Sequence, residues 1–217
     1  MTPDELAKRF AQVFHVCEPG VHTSIARLGL LSSEALLDRF GIGGTRRRTL
    51  LSSRRERGVP ISHPAHGSAV LNDNSPLSDR ALTRCLDDGL TPAEWLEMLN
   101  ARVFFWPTER RLASLLAARL NRCREREVLV FDTRRLLAPC WEAVSLSPIN
   151  SGSTIRRPAR RGLATFTPAS GITYRDWQRL RGGRDSVAEI TVDEAVPHAA
   201  DALVDVRRVP AGYRSMA

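Results

Sequence analysis

The chain has 217 residues, 42% hydrophobic and 26% charged, a balance ordinary for one soluble globular domain with a core of useful size. Its net charge is +8 and Lys8 is its one lysine, so the positive charge is almost all guanidinium, which forks onto phosphates, stacks on bases and suits a dinucleotide or nucleic acid. No apolar run is long enough to cross a bilayer, Asp4 and Glu5 stand where a signal peptide carries basic residues, and Cys17, Cys85, Cys123 and Cys140 form no CxxC pair; the expectation is a cytoplasmic protein with free thiols and no metal site.

Thr2, Pro3 and Glu5 spell an N-cap, a first helical residue and a capping box, followed by an apolar face of Leu6, Phe10 and Val13. Residues 14–17 read as a short strand. Residues 19–28 read as a helix with Val21, Ile25 and Leu28 on one face and Gly29 at its end. Ser32 or Ser33 caps another helix, which carries Leu36, Leu37 and Phe40 and closes at Gly41. Residues 45–73 are rich in Arg, Gly, Pro and His and show little periodicity, so irregular surface structure is expected there, with one helical turn around 50–57. Helices follow near 78–86 and 91–101, the second opened by the capping box of Thr91, Pro92 and Glu94. Residues 103–106 form an apolar strand. Thr108 then caps a helix bearing Leu112, Leu115, Leu116 and Leu120. Strands are expected at 127–132, 141–146, 187–192 and 202–209, separated at 148–186 by a long polar segment of the kind that carries function. The pattern predicts an α+β fold over 1–217, helices early and a mixed sheet late, with a helical insertion around 45–101.

Three places carry chemistry-bearing residues in unusual settings. His15 lies on a short strand before a helix, where an imidazole is either a satisfied core group or a ligand contact. Glu189 lies in Val187-Ala188-Glu189-Ile190-Thr191-Val192; strand alternation puts it on a face with Val187 and Thr191 and opposite Ala188 and Ile190. A carboxylate among apolar strand residues needs a partner, a task or an edge facing water. The aromatic run Phe104-Phe105-Trp106 supplies core rings and a ring for a pocket wall.

Taken together, these residues resemble a known pattern. Phe14-His15-Val16, followed by Ser24-Ile25-Ala26-Arg27 and Leu28-Gly29-Leu30-Leu31-Ser32, resembles the opening of DarT-type DNA ADP-ribosyltransferases. Ala188-Glu189-Ile190-Thr191-Val192-Asp193, followed by Ala195-Val196-Pro197, resembles that family's catalytic Glu strand. The order His, aromatic, Glu is that of the wider superfamily. Across nearly its whole length, including Ser147-Pro148-Ile149-Asn150-Ser151-Gly152, the chain is also similar to an uncharacterised bacterial domain family. A helical insertion replaces the region that helps DarT enzymes grip DNA.

The resemblance implies an ADP-ribosyltransferase-like sheet core and an enzyme that consumes NAD. Cleaving the nicotinamide–ribose bond builds an oxocarbenium-like cation, which a carboxylate stabilises. On this reading Glu189 is catalytic and His15 binds the adenosine ribose. Phe105, from the aromatic run, walls the nicotinamide pocket. Arg54 or Arg55 supplies the early functional arginine, Arg54 as a cofactor clamp and Arg55 in catalysis. Arg156, Arg157, Arg160 and Arg161, in the long segment before the Glu strand, recognise the acceptor, with a nucleobase in DNA or RNA as the leading class. A toxin or phage-defence role, with an antitoxin or immunity partner, is what such an activity implies. Two alternatives stay open: an RNA 2′-phosphotransferase-like enzyme, which does not depend on the terminal Glu, and a catalytically silent module that binds nucleotide or nucleic acid.

Overall fold

The capping box at the N-terminus forms as the sequence predicts: the Thr2 hydroxyl accepts from the Glu5 amide, and the Glu5 carboxylate accepts from the Thr2 amide, opening α1 (Pro3–Arg9). The computed structural model describes residues 1–155, 157–183 and 187–213. β1 (Gln12–Cys17), α2 (His22–Leu28), β2 (Leu30–Leu31) and α3 (Ser33–Arg39) follow, with Ser32 capping α3 through its hydroxyl. Next come α4 (Gly44–Ser52), β3 (Val59–His63), β4 (Gly67–Leu71), α5 (Asp79–Cys85), α6 (Pro92–Asn100) and β5 (Arg102–Phe105). The second half holds α7 (Glu109–Leu116), β6 (Arg126–Asp132), α8 (Thr133–Leu137), β7 (Val144–Ser147), β8 (Thr167–Pro168), α9 (Tyr174–Leu180), β9 (Glu189–Asp193), β10 (Ala195–Val196) and β11 (Leu203–Val209).

The α+β class holds. The sheet is not one mixed sheet: its ladders are antiparallel and fall into two main groups, β1-β6-β11 and β5-β9-β7-β8. The groups meet where Phe14 and Trp106 exchange hydrogen bonds of 3.0 and 2.8 Å between their backbones. One core lies under both sheets and includes Leu6, Val13, Phe105, Leu129, Phe131, Leu146, Trp177 and Ile190. On the other side of the first sheet, Leu112 and Leu116 of α7 cover Phe14, Val128 and Val130.

Residues 45–73 are more regular than their composition suggests. They form α4 and the hairpin β3–β4, which share a small core of Leu51, Ile61 and Leu71 with Leu37 and Phe40 of the preceding segment. Only one side chain in each strand of the hairpin is fully buried, Ile61 and Leu71, so the alternation that marks a strand is nearly absent. Arg55 ties this unit together. It is 7% exposed, and its guanidinium donates to the carbonyls of Leu50 and Asn72 and to Asn100 Oδ1 at 2.7 Å. Asn100 in turn donates to the Leu51 carbonyl.

Two segments far apart in sequence join at a short ribbon. Leu30 and Leu31 pair with Val196 and Ala195, and the Ser32 amide donates to the Glu194 carbonyl at 2.8 Å. Gly29, at φ 67° and ψ −165°, ends α2 in a conformation open essentially to glycine alone. A Cβ there would come within 2.5 Å of the Val196 carbonyl oxygen and 2.6 Å of Pro197 Cα. Gly29→Ala is expected to lower stability by about 2 kcal/mol or more, combining the backbone strain with the clash. Urea denaturation compares the two proteins; equal midpoints would remove this constraint.

Candidate functional site

Alternation along β5, β7 and β9 sorts the second sheet into two faces. Val103, Phe105, Val144, Leu146, Ile190 and Val192 meet across the ladders and enter the core. The other face brings Phe104, Ser145, Ser147, Glu189 and Thr191 into register, with Glu189 opposite Ser147. The sequence places Glu189 and Thr191 on one face, away from Ile190, and the register agrees. β9 begins only at Glu189, so the alternation does not reach back: Val187, expected beside Glu189, packs in the core, while Ala188, expected opposite, lines the groove described below.

Glu189 is 3% exposed, and its carboxylate is held by the chain that leaves β7. The Ser151 amide lies 3.2 Å from both carboxylate oxygens, and the Ser151 hydroxyl donates to Oε2 at 2.6 Å. Ser151 is itself fully buried and fixed from behind, because Arg161 donates to its carbonyl at 2.9 Å. Burial pushes the Glu189 carboxyl up to about 7, against the Ser151 hydrogen bonds and the charges of Arg161 and Arg111, which favour the ionised form.

A groove of about 1450 Å³ opens in front of this carboxylate, and Glu189 and His15 both line it. His15 Nδ1 donates to the Phe104 carbonyl at 2.9 Å. That bond commits the Nδ1 proton and leaves Nε2 as the acceptor of the neutral ring. Burial lowers the His15 pKa, while the bond to Phe104 opposes the shift, so the imidazole is neutral at pH 7.

The remaining predicted residues fall in several places. Phe104 and Trp106 line the groove, whereas Phe105 points the other way into the core and packs edge-on against Phe131. Two rings of the aromatic run thus line the groove and the third does not, because a strand shows alternate side chains to opposite faces. Arg55 reaches the groove, but all three of its guanidinium nitrogens are spent on protein acceptors. It clamps the unit of α4 and the β3–β4 hairpin, with three of its five N–H donors spent on protein acceptors. Arg54 stays outside the groove lining, beside Glu56 and the Ser75 carbonyl. Arg160 pairs with Asp87. Arg157 is exposed, and Arg156 lies outside the described residues. Arg161 is 2% exposed and supports Ser151, so its place is behind the carboxylate and not on an acceptor surface.

Sequence reasoning passed over Ser151 and Arg111. The first sits in the Ser147–Gly152 stretch, and the second in the first turn of α7. A third unforeseen residue, the carboxylate Glu127, holds the chain at Gly20, which lines the groove. It is fully buried on β6 and accepts from the amides of Gly20 and His22 and from His22 Nδ1 at 2.9 Å. Burial opposes its ionisation, yet these donors hold its carboxyl below the ordinary value. Glu127 thereby fixes the turn before α2.

Fold and site together define an α+β domain in which a buried carboxylate, a neutral imidazole and two aromatic rings line one groove. The chain belongs to the family of unknown function DUF7002, which matches residues 11–203. Among curated proteins nothing matches it. No helix among the described residues is long and apolar enough to cross a membrane, and none of those residues form a cluster of three or more His, Cys, Asp or Glu suited to a metal ion.

The raised pKa of Glu189 makes stability depend on pH. The folded chain holds this proton more tightly than the unfolded chain, whose carboxyl titrates near 4.5. The stabilising contribution is complete below that value and is lost as pH rises to about 7, by up to about 3 kcal/mol. Glu189→Gln cannot titrate. The stability of the variant relative to wild type is therefore expected to grow between pH 5 and 8, read by urea denaturation at several pH values. A constant difference would mean that the carboxyl is not held protonated in the fold.

Proposed function

We propose that this protein is an NAD-consuming ADP-ribosyltransferase. The observation that carries the reading is that His15 and Glu189, far apart in sequence, line one groove, with the carboxylate fixed by Ser151. A rigid, poorly solvated carboxylate suits a reaction whose transition state gathers positive charge on a ribose ring. Its interaction with that cation is strong in a low dielectric and needs no reorganisation at the moment of bond breaking.

In this reading nicotinamide leaves from the ribose C1′ as the oxocarbenium-like centre forms beside Glu189. The ionised carboxylate stabilises that centre and accepts the proton of the incoming nucleophile. His15, through Nε2, accepts a hydrogen bond from a ribose hydroxyl. Phe104 and Trp106 supply the aromatic wall for the nicotinamide. The net charge of +8 and the arginines along the groove favour an anionic acceptor, with a nucleobase in DNA or RNA as the leading class. A toxin or defence role, with a neutralising partner, fits such an activity.

Incubating the pure protein with NAD, with and without DNA or RNA, and measuring free nicotinamide tests the reading. Nicotinamide release is expected; its absence under every condition sinks the proposal. Glu189→Gln should keep NAD affinity but lose about a hundred- to a thousandfold in rate, because the lost charge acts only in the transition state. Since the ionised form is the active one, kcat/KM should rise with pH through about 7. Ser151→Ala removes a hydrogen bond that favours the carboxylate and should move that rise to higher pH. A pH profile unmoved by Ser151→Ala would detach Ser151 from the carboxylate's chemistry.

A further inference from the structure

Arg126 opens β6 with 6% of its surface exposed, and it lines the groove. One of its guanidinium nitrogens pairs with Glu18, but its Nε is buried without a hydrogen-bond partner. A buried donor left unmet is costly, so it calls for an acceptor. Alternation puts Arg126 on the face of β6 shared by Val128 and Val130, the face that α7 covers.

α7 contributes to the same wall. Leu112 and Leu116 fix the helix to the sheet, while Arg111, Ser114, Leu115 and Ala118, spaced as one helical face, line the groove. Arg119 lines it beside them. Among the described residues the guanidinium groups of Arg111 and Arg119 form no hydrogen bond or ion pair, and the nearby Glu109 carboxylate is taken by Arg207 at 2.6 Å. The groove's own carboxylates are already engaged: Glu18 by Arg126, Asp73 by Arg124 and Ser75, and Glu189 by Ser151. Three arginines thus line one groove, with cationic donors in excess of the acceptors the protein offers them.

We infer that Arg111, Arg119 and Arg126 form an oxyanion-binding lobe of the groove, built for a phosphate group. Guanidinium forks match phosphate oxygens in geometry as well as charge, and the buried Nε of Arg126 gains the acceptor it lacks. The phosphate has two sources of the same chemistry, the diphosphate of a dinucleotide or the phosphate of an acceptor. The lobe stands on these contacts whether or not the groove transfers ADP-ribose.

Calorimetric titration of the full chain with inorganic pyrophosphate at low ionic strength tests the lobe, with ADP-ribose titrated in parallel. Wild type should bind pyrophosphate, and more weakly as salt is raised. The double variant Arg111→Gln, Arg119→Gln changes side chains that form no hydrogen bond or ion pair among the described residues. It should keep the wild-type melting temperature while losing about ten- to a hundredfold in pyrophosphate affinity. Arg126→Met should act in the same direction; should it fail to fold, the double variant carries the test. A parallel loss of ADP-ribose affinity assigns the lobe to the dinucleotide's diphosphate. Retained ADP-ribose affinity with weakened pyrophosphate binding assigns it to an acceptor phosphate. No pyrophosphate binding at millimolar concentration, or equal affinity in wild type and double variant, overturns the inference.

Discussion

Phe14 and Trp106 exchange two backbone hydrogen bonds where the edge of β1 meets the end of β5, and the rest of the architecture follows from that junction. The next residue on β1 is His15, whose ring reaches the Phe104 carbonyl. Beyond it β1 and β5 diverge, and Val16, Cys17 and Glu18 face the groove. A cleft between diverging strands leaves side chains from both sheets at its mouth while their backbones stay tied to rigid ladders. That is how a site gains position without burying its opening.

The second sheet then divides its labour by parity. Across β5, β9 and β7 its inner face is apolar and supplies the core, and its outer face carries Ser145, Ser147, Glu189 and Thr191. A polar row of this kind loses burial energy that an apolar row would gain, and the Thr191 hydroxyl is left without a hydrogen-bond partner. Glu189 is the extreme case, because a buried carboxyl must either keep its proton or be compensated. Ser151 gives partial compensation, Arg161 holds Ser151 in place, and the result is a group whose charge turns over near neutral pH. Sites that break the rules of core composition are commonly where function resides.

Much of this was legible in the sequence because local signals and tertiary structure agree. The capping boxes at Thr2 and Thr91, the stop at Gly29 and the face shared by Glu189 and Thr191 depend on short-range chemistry, and all are found. The hairpin β3–β4 was not legible, because its mostly exposed strands bury too few side chains to leave a period-two pattern. Parity misled at Phe105: a three-residue aromatic run does not say which ring faces the core. Arg55 and Arg161 misled for another reason. Composition cannot separate a guanidinium that binds a ligand from one that is buried and bonds carbonyls of its own chain. Ser151 and Arg111 gain their meaning only from where distant segments place them.

The ribbon of Leu30 and Leu31 with Ala195 and Val196 bears on how the protein comes into being. Chains emerge from the ribosome from the first residue onward, and early segments fold with whatever partners exist. Here β1 must wait for β6, and β2 must wait for β10, so the first half leaves the ribosome with unpaired strand edges. Such edges are prone to pair with other chains, and long-range pairing of this kind is slow. The groove closes only after β9 and β10 have been made, because they bring Glu189 and complete the ribbon. A nascent chain that has not yet released β9 and β10 therefore carries no competent site, and any activity held in the groove is withheld until both strands have emerged.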